Sequence, residues 1–363
     1  MQKNASDTKV VVAMSGGVDS STACALMHER GYNVIGITLQ LYDQGAIANK
    51  KGACCAGQDI YDASQVAAKL NIPHYVLDYE SKFKTQVIDD FVDSYLEGQT
   101  PLPCVRCNQS VKFTDLIKFA HSLNADYLVT GHYVQKVMSN GKAELHKGLD
   151  DTKDQSYFLF ATTKEQLDFL EFPLGGMTKE QTRLEAKRFG LITADKPDSQ
   201  DICFVPNGSY VDLIKKMRPE ALSEGSIMHI DGFEVGRHQG IAGYTIGQRR
   251  GLKISSPEAL YVIRIDPVQN IIYVGPESSL NGNSLIIKDV NWLGENDWPD
   301  DGLEVQVKIR SAHKGAMAKI FSIDNNRILV KLLNYEKAIT PGQACVIYES
   351  NRVLGGGWII KEN

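Results

Sequence analysis

Short apolar runs alternate with amphipathic stretches over the first third of the chain. Val10–Met14, Asn33–Leu41, His74–Asp78 and Ala125–Thr130 read as strands. Ser21–Arg30, Gln58–Leu70, Lys82–Glu97 and Ser110–Leu123 carry the longer helical period. Strands alternating with helices predict right-handed βαβ units and a parallel sheet. A mostly helical segment follows from Asp150 to Gly190, broken at Gly175-Gly176. From Gly225 to Gly275 the chain is rich in glycine and β-branched residues, with turn signals at Asp231-Gly232 and Asp266-Pro267. Beyond Leu285 the period becomes two: Leu303, Val305, Val307 and Ile309 fall on one face, Glu304, Gln306, Lys308 and Arg310 on the other. Short strands recur after that, over Ala318–Ile323, Arg327–Leu332, Ala344–Glu349 and Gly357–Lys361. The expected architecture is an α/β parallel-sheet domain over 1–206, a small mixed or β domain over 207–282 and a C-terminal β-barrel over 283–363.

Composition changes this picture little. The 363 residues are 43% hydrophobic and 23% charged, with a net charge of −5, ordinary for a globular protein of two or three domains. No apolar run approaches the ~20 residues of a spanning helix, and Met1–Lys9 lacks the apolar core of a signal peptide. No membrane partner and a cytoplasmic location are expected. Cys24, Cys54, Cys55, Cys104, Cys107, Cys203 and Cys345 are an odd, clustered set, which points to catalysis or metal binding over a disulfide framework. Cys24 and Cys345 read as small buried hydrophobes.

The densest chemistry lies where the first strand meets the first helix, at Met14-Ser15-Gly16-Gly17-Val18-Asp19-Ser20-Ser21. A strand turning through paired glycines into a helix leaves backbone N–H groups pointing one way, with the positive end of the helix dipole behind them. That arrangement receives phosphate. Ser15, Ser20 and Ser21 can add hydroxyl donors, but the lysine of an ordinary P-loop is missing. Ligands of such sheets sit beyond the carboxyl ends of the strands. Gly131-His132, at the end of the fourth strand, therefore shares the pocket.

Pro103-Cys104-Val105-Arg106-Cys107-Asn108 places two thiols at C-x-x-C spacing just ahead of the Ser110–Leu123 helix. There the dipole and Arg106 would stabilise a thiolate. Cys203 follows far along the chain among Asp198-Ser199-Gln200-Asp201. A C-x-x-C alone fits half a zinc site, a redox pair or cluster ligands. Beside a phosphate-binding loop that activates an oxygen it would suit thiolation. Exchanging a carbonyl oxygen for sulfur needs the oxygen made a leaving group, a persulfide to attack, and a second thiol to open the linked intermediate.

The S-G-G-x-D-S string resembles the PP-loop ATP pyrophosphatases, and the chain as a whole resembles the bacterial tRNA-specific 2-thiouridylase family. The matching elements run in family order: Ala13–Ser20, Cys107-Asn108 with Val111-Lys112-Phe113, Thr130-Gly131-His132-Tyr133, Lys153–Phe158, Asp198-Ser199 with Ile202-Cys203-Phe204, Gly243–Gly251 and Thr340–Gln343. The resemblance implies a PP-loop domain of the adenine nucleotide α-hydrolase type. It also implies ATP-dependent 2-thiolation of the wobble uridine of tRNA, with ATP and Mg²⁺. Cys107 would be the nucleophile and Cys203 the persulfide carrier, and the two can also form a disulfide. The nucleotide would be held by Ala13, Met14, Ser15, Gly16, Gly17, Val18, Asp19, Ser20, Leu39 and Gly131, with Asp19 a partner for the magnesium. His132, Lys153, Asp154, Gln155 and Gln343 would hold tRNA. A cysteine desulfurase or sulfur-relay protein would supply the sulfur.

Two positions depart from the family pattern. An aspartate usual three residues before the nucleophile is here Cys104, so Cys104, Cys107 and Cys203 could instead hold a four-iron, four-sulfur cluster. A tyrosine usual after Arg310 is Ser311. Cys54-Cys55 reads as part of a variable surface loop. Cations for RNA phosphates are available at Arg183, Lys187 and Arg188, at Lys215, Lys216 and Arg218, at Lys308, Arg310, His313 and Lys314, and best at Arg249, Arg250 and Lys253, whose glycine neighbours let the loop adapt. Two other functions share some of these features: a PP-loop amidotransferase or synthase, which has no use for the thiols, and a non-catalytic nucleotide-sensing RNA-binding module.

Overall fold

A computed structural model describes residues 3–42, 55–198, 202–205, 209–219, 222–296 and 298–361. The chain divides into two units. Unit 1 is Met1–Val87, Cys104–Phe204 and Asn351–Val353; unit 2 is Ile88–Pro103, Val205–Ser350 and Leu354–Asn363.

In unit 1, β1 (Lys9–Ala13), α1 (Val18–Glu29), β2 (Asn33–Gln40), α2 (Cys55–Lys69), β3 (His74–Asp78) and β4 (Tyr127–Val129) follow the expected alternation. With the short β7 (Leu170–Glu171) they form a five-stranded parallel sheet in the order β3-β2-β1-β4-β7. Val10, Val11 and Val12 are all fully buried, as a central parallel strand covered on both faces requires. Cys24 is buried in the same core.

Two helices differ from expectation. α1 begins three residues early because Gly17, extended at φ −88° and ψ 167°, is its N-cap. The helix expected from Ser110 starts at Pro103, since a proline lacking its N–H is tolerated in a first turn. It runs as a wide π-helix over Cys107–Leu116 before returning to α over Ile117–Ser122. The Thr114 hydroxyl bonds the Gln109 carbonyl five residues back, and Ser110 bonds the Arg106 carbonyl. A hairpin, β5 (Val134–Ser139) and β6 (Lys142–Lys147), was signalled only by its Asn140-Gly141 turn, both residues at positive φ. Two capping boxes start α3 (Lys164–Phe169) at Thr163 and Gln166, and α4 (Lys179–Arg188) at Thr178 and Gln181.

Unit 2 contains the helix Asp89–Leu96, whose Tyr95 stacks on Tyr210 of α5 (Tyr210–Met217) at 4.5 Å. Its four-stranded sheet has the order β10-β11-β8-β9, from β8 (Gly225–His229), β9 (Glu234–His238), β10 (Tyr261–Asp266) and β11 (Ile271–Gly275). Six further strands are β12 (Asn281–Trp292), β13 (Leu303–Lys308), β14 (Ala316–Asp324), β15 (Arg327–Lys337), β16 (Ala344–Glu349) and β17 (Arg352–Ile360). In the order β12-β15-β14-β13-β16-β17 they close into a barrel through the β12–β17 pairing. The predicted inward face holds: Val305, Val307 and Ile309 are buried in the barrel core with Cys345. Among the described residues no helix is long and apolar enough to cross a membrane.

Candidate active site at the ends of the parallel strands

Met14, just past β1, donates its N–H to the Ile37 carbonyl, and Gly16 then turns at φ +73°. A Cβ on Gly16 would stand 2.2 Å from the Asp59 carbonyl oxygen, so only glycine fits. No side chain caps α1 at Gly17, which leaves the first-turn N–H groups to an anion. The serines play a different part from the one expected. Ser20 accepts the Ser15 N–H at 3.0 Å, and the Ser20 and Ser21 hydroxyls turn inward onto the Gly17 carbonyl. They shape the loop.

Gly131 packs against this loop. A Cβ there would lie 2.8 Å from the Ser20 nitrogen, so the end of β4 packs directly on the first turn of α1. Leu39 sits half-buried at the end of β2, beside Thr38, whose hydroxyl bonds the Met14 carbonyl at 2.8 Å. Ala13, Met14, Ser15, Gly16, Gly17, Val18, Asp19, Ser20, Leu39 and Gly131 thus gather where three parallel strands end.

Ion pairs that no local signal announced brace the loop. Lys196 donates to the Gly16 carbonyl at 2.9 Å, to Asp59 at 2.7 Å and to Asp62 at 2.6 Å. Burial opposes its charge, but the two carboxylates prevail and raise its pKa. Lys179 bonds both oxygens of Asp19, at 2.7 and 2.8 Å, and reaches Asp198 at 3.0 Å. Asp198 also takes Lys153 at 2.8 Å and Arg183 at 2.6 Å. Burial pushes its carboxyl up, yet the bonds to Lys153 and Lys179 outweigh that and hold it well below the usual range.

The thiols lie in the same unit. Cys107 is buried, while Cys104 and Cys203 reach solvent from a recess walled by protein. All three are free thiols. They stand close enough that Cys104 disfavours ionisation of Cys107, and both disfavour ionisation of Cys203. Contrary to the expected dipole-stabilised thiolates, burial raises the pKa of each and pushes Cys203 up to about 12. Cys107 lies a turn inside its helix, away from the free N–H groups of the first turn. The cation opposing this is Lys112, not Arg106, which bonds Gln109. Lys112 donates to Asn108, whose amide holds the Phe158 carbonyl.

From Phe158 a chain of bonds returns to the loop. The Phe158 N–H bonds the Gln155 carbonyl, Gln155 accepts the Tyr133 N–H at 2.9 Å, and the Tyr133 hydroxyl donates to Asp19 at 2.8 Å. Of the residues expected to hold tRNA, Gln155 and Asp154 therefore brace backbone, Asp154 through Gly148 and Ser156. Lys153 is ion-paired. Gln343, in unit 2, bonds the Thr100 carbonyl. His132 lies 2.8 Å from the Thr130 hydroxyl; burial, helped by Lys112, pulls its pKa down to about 3 and keeps the ring neutral. The α4 cations are likewise paired: Arg183 with Asp198, Lys187 with Asp195, Arg188 with Glu29 and Glu185. Arg249 instead lines a cavity of about 290 Å³ in unit 2 with Lys253 and Glu258.

The metal expectations fare less well. Among the described residues, no group of three or more His, Cys, Asp or Glu side chains converges to hold a metal ion, so the three thiols do not fit a cluster as placed. Asp19, the carboxylate expected for magnesium, has both oxygens on Lys179. Cys54 and Ser199–Asp201 lie outside the described residues.

A parallel-sheet unit with an uncapped glycine loop and three neighbouring thiols defines a PP-loop protein equipped for sulfur chemistry. Models of three families match in succession: a tRNA methyl transferase HUP domain over residues 8–207, a tRNA methyl transferase PRC-barrel domain over 211–276 and an aminomethyltransferase β-barrel domain over 282–359. A tRNA-specific 2-thiouridylase MnmA of Rickettsia felis is 64% identical over 97% of both chains. The one from Rickettsia bellii is 63% identical over 100% of this chain and 99% of its own. The chain belongs to the tRNA-specific 2-thiouridylase family.

Proposed function

We propose that this tRNA-uridine 2-sulfurtransferase binds ATP at Ala13–Ser20, Leu39 and Gly131, adenylates the C2 oxygen of a wobble uridine, and replaces that oxygen with sulfur carried by Cys203. The uracil oxygen attacks the α-phosphorus and pyrophosphate leaves, its developing charge met by the N–H groups of α1. The terminal sulfur of a Cys203 persulfide attacks C2, and AMP departs. Cys107 then attacks the Cys203 sulfur, releasing 2-thiouridine and leaving a Cys107–Cys203 disulfide for an external thiol to reduce. A cysteine desulfurase or relay protein reloads Cys203.

One observation carries this reading: Cys107 and Cys203, far apart in sequence, neighbour each other and Lys112 in the unit that holds the uncapped loop. A PP-loop synthase that transfers nitrogen gives those thiols no task. For RNA, Arg249 and Arg250 are the favoured phosphate contacts, since the α4 cations are already paired. His132 is the favoured contact beside the target base. The test is mass spectrometry of tRNA nucleosides after reaction with ATP and a sulfur source. Appearance of 2-thiouridine that requires Cys107 and Cys203 supports the reading; pyrophosphate release without it, in the intact protein, sinks it.

A further inference from the structure

The nucleotide loop contains no lysine or arginine between Ala13 and Ser20, and it carries a carboxylate of its own, Asp19, in the first turn of α1. An anion site with a built-in negative charge needs a cation from elsewhere. Among the described residues, two lysines bond to this loop, Lys196 and Lys179. They differ in what they would leave behind. Lys196 is the ion-pair partner of both Asp59 and Asp62 and grips the Gly16 carbonyl, so its departure would take the ion pair from both carboxylates, leaving Asp62 only the Gln58 amide, and unshape the turn. Lys179 pairs with Asp19 and Asp198, but Asp198 keeps Lys153 and Arg183 if Lys179 moves, and Asp19 keeps the Tyr133 hydroxyl.

Lys179 is also mounted for a short swing. Its backbone N–H is fixed to Asp150, and the Thr178–Gln181 capping box anchors the start of α4, so only the four-carbon stem needs to reorient. Its ammonium already bonds the Asp19 carboxylate in the first turn of α1.

We infer that Lys179 is the phosphate-binding cation the loop lacks, held by Asp19 until the triphosphate of ATP takes it over. The inference rests on the ATP reading of the loop and adds which side chain meets the β- and γ-phosphates. The difference between ATP and AMP isolates those phosphates. Calorimetric titration of the full chain with each nucleotide should show Lys179→Met weakening ATP by about 10- to 100-fold, the worth of one charge-assisted contact, with AMP changed less than about twofold. Lys179→Arg should restore most of the ATP affinity, and Lys196→Met should weaken both nucleotides together. Lys179→Gln, checked by thermal unfolding, serves if the methionine variant does not fold. Equal losses for ATP and AMP, or no loss for ATP, would overturn the assignment while leaving the ATP reading intact. Failure of the wild-type protein to bind either nucleotide would overturn both.

Discussion

Two groups of side chains in unit 1 handle charge in opposite ways. Around the nucleotide loop, Asp19, Asp59, Asp62 and Asp198 are matched to Lys179, Lys196, Lys153 and Arg183. Around the thiols one ammonium, Lys112, faces three sulfurs that burial keeps protonated. The loop is preorganised and waits for its ligand. The thiols are held inert, and their reactivity has to be raised when substrate and sulfur arrive. This separation suits a two-stage reaction, because a permanently ionised Cys203 would be open to oxidation between turnovers.

The contrast breaks most visibly if the stages are cut apart. Cys203→Ala is expected to reduce thiolation by at least ~1000-fold while pyrophosphate release on tRNA and ATP continues. Loss of both in a folded variant would mean that the two stages are not separable. The second test is pH. With its pKa raised to about 12, Cys203 is neutral at and well above neutrality, so its thiolate fraction should climb about tenfold per pH unit through roughly pH 7 to 9. Iodoacetamide labelling of the Cys203 peptide, followed by mass spectrometry, should rise with that slope; a plateau below about pH 8 would contradict a suppressed thiol.

At the loop, Gly131→Ala pushes a methyl group into the Asp19–Ser20 backbone, and a backbone neighbour cannot give way cheaply. Denaturant unfolding should reveal a loss of ~1–3 kcal/mol, and unchanged stability would show that β4 does not press on α1. The smallest effect is expected for Lys112→Met. Removing Lys112, the cation that among the described residues favours all three thiolates, should slow Cys203 labelling by roughly 3- to 10-fold, whereas faster labelling would show that Lys112 blocks access instead.

Much of unit 1 was legible in sequence because its strands are continuous apolar runs and its loop contains adjacent glycines that tolerate few structural alternatives. The barrel was legible for the same kind of reason: alternation over Leu303–Arg310 maps onto inside and outside. The π-helix was not, since nothing in Cys107–Leu116 distinguishes a wide turn from an ordinary one until Thr114 is seen bonding Gln109. The thiol cluster was found by residue type, but its electrostatics were misread. Proximity to a helix start suggested activation, whereas desolvation, a property of the folded surroundings, prevails. Lys112 had a signal, one turn and a residue beyond Cys107 on the same helix. Lys179 and Lys196 had none, because their partners come from segments distant in sequence.

The bond from Lys196 to the Gly16 carbonyl spans 180 residues. At synthesis rates of about 5–20 residues per second, the turn at Gly16 waits ~10–40 s for that lysine to be made. A feature translated near the start is thus completed only once more than half of the chain has been made, and a truncated product ending before Lys196 would carry the glycine signature without a finished nucleotide loop.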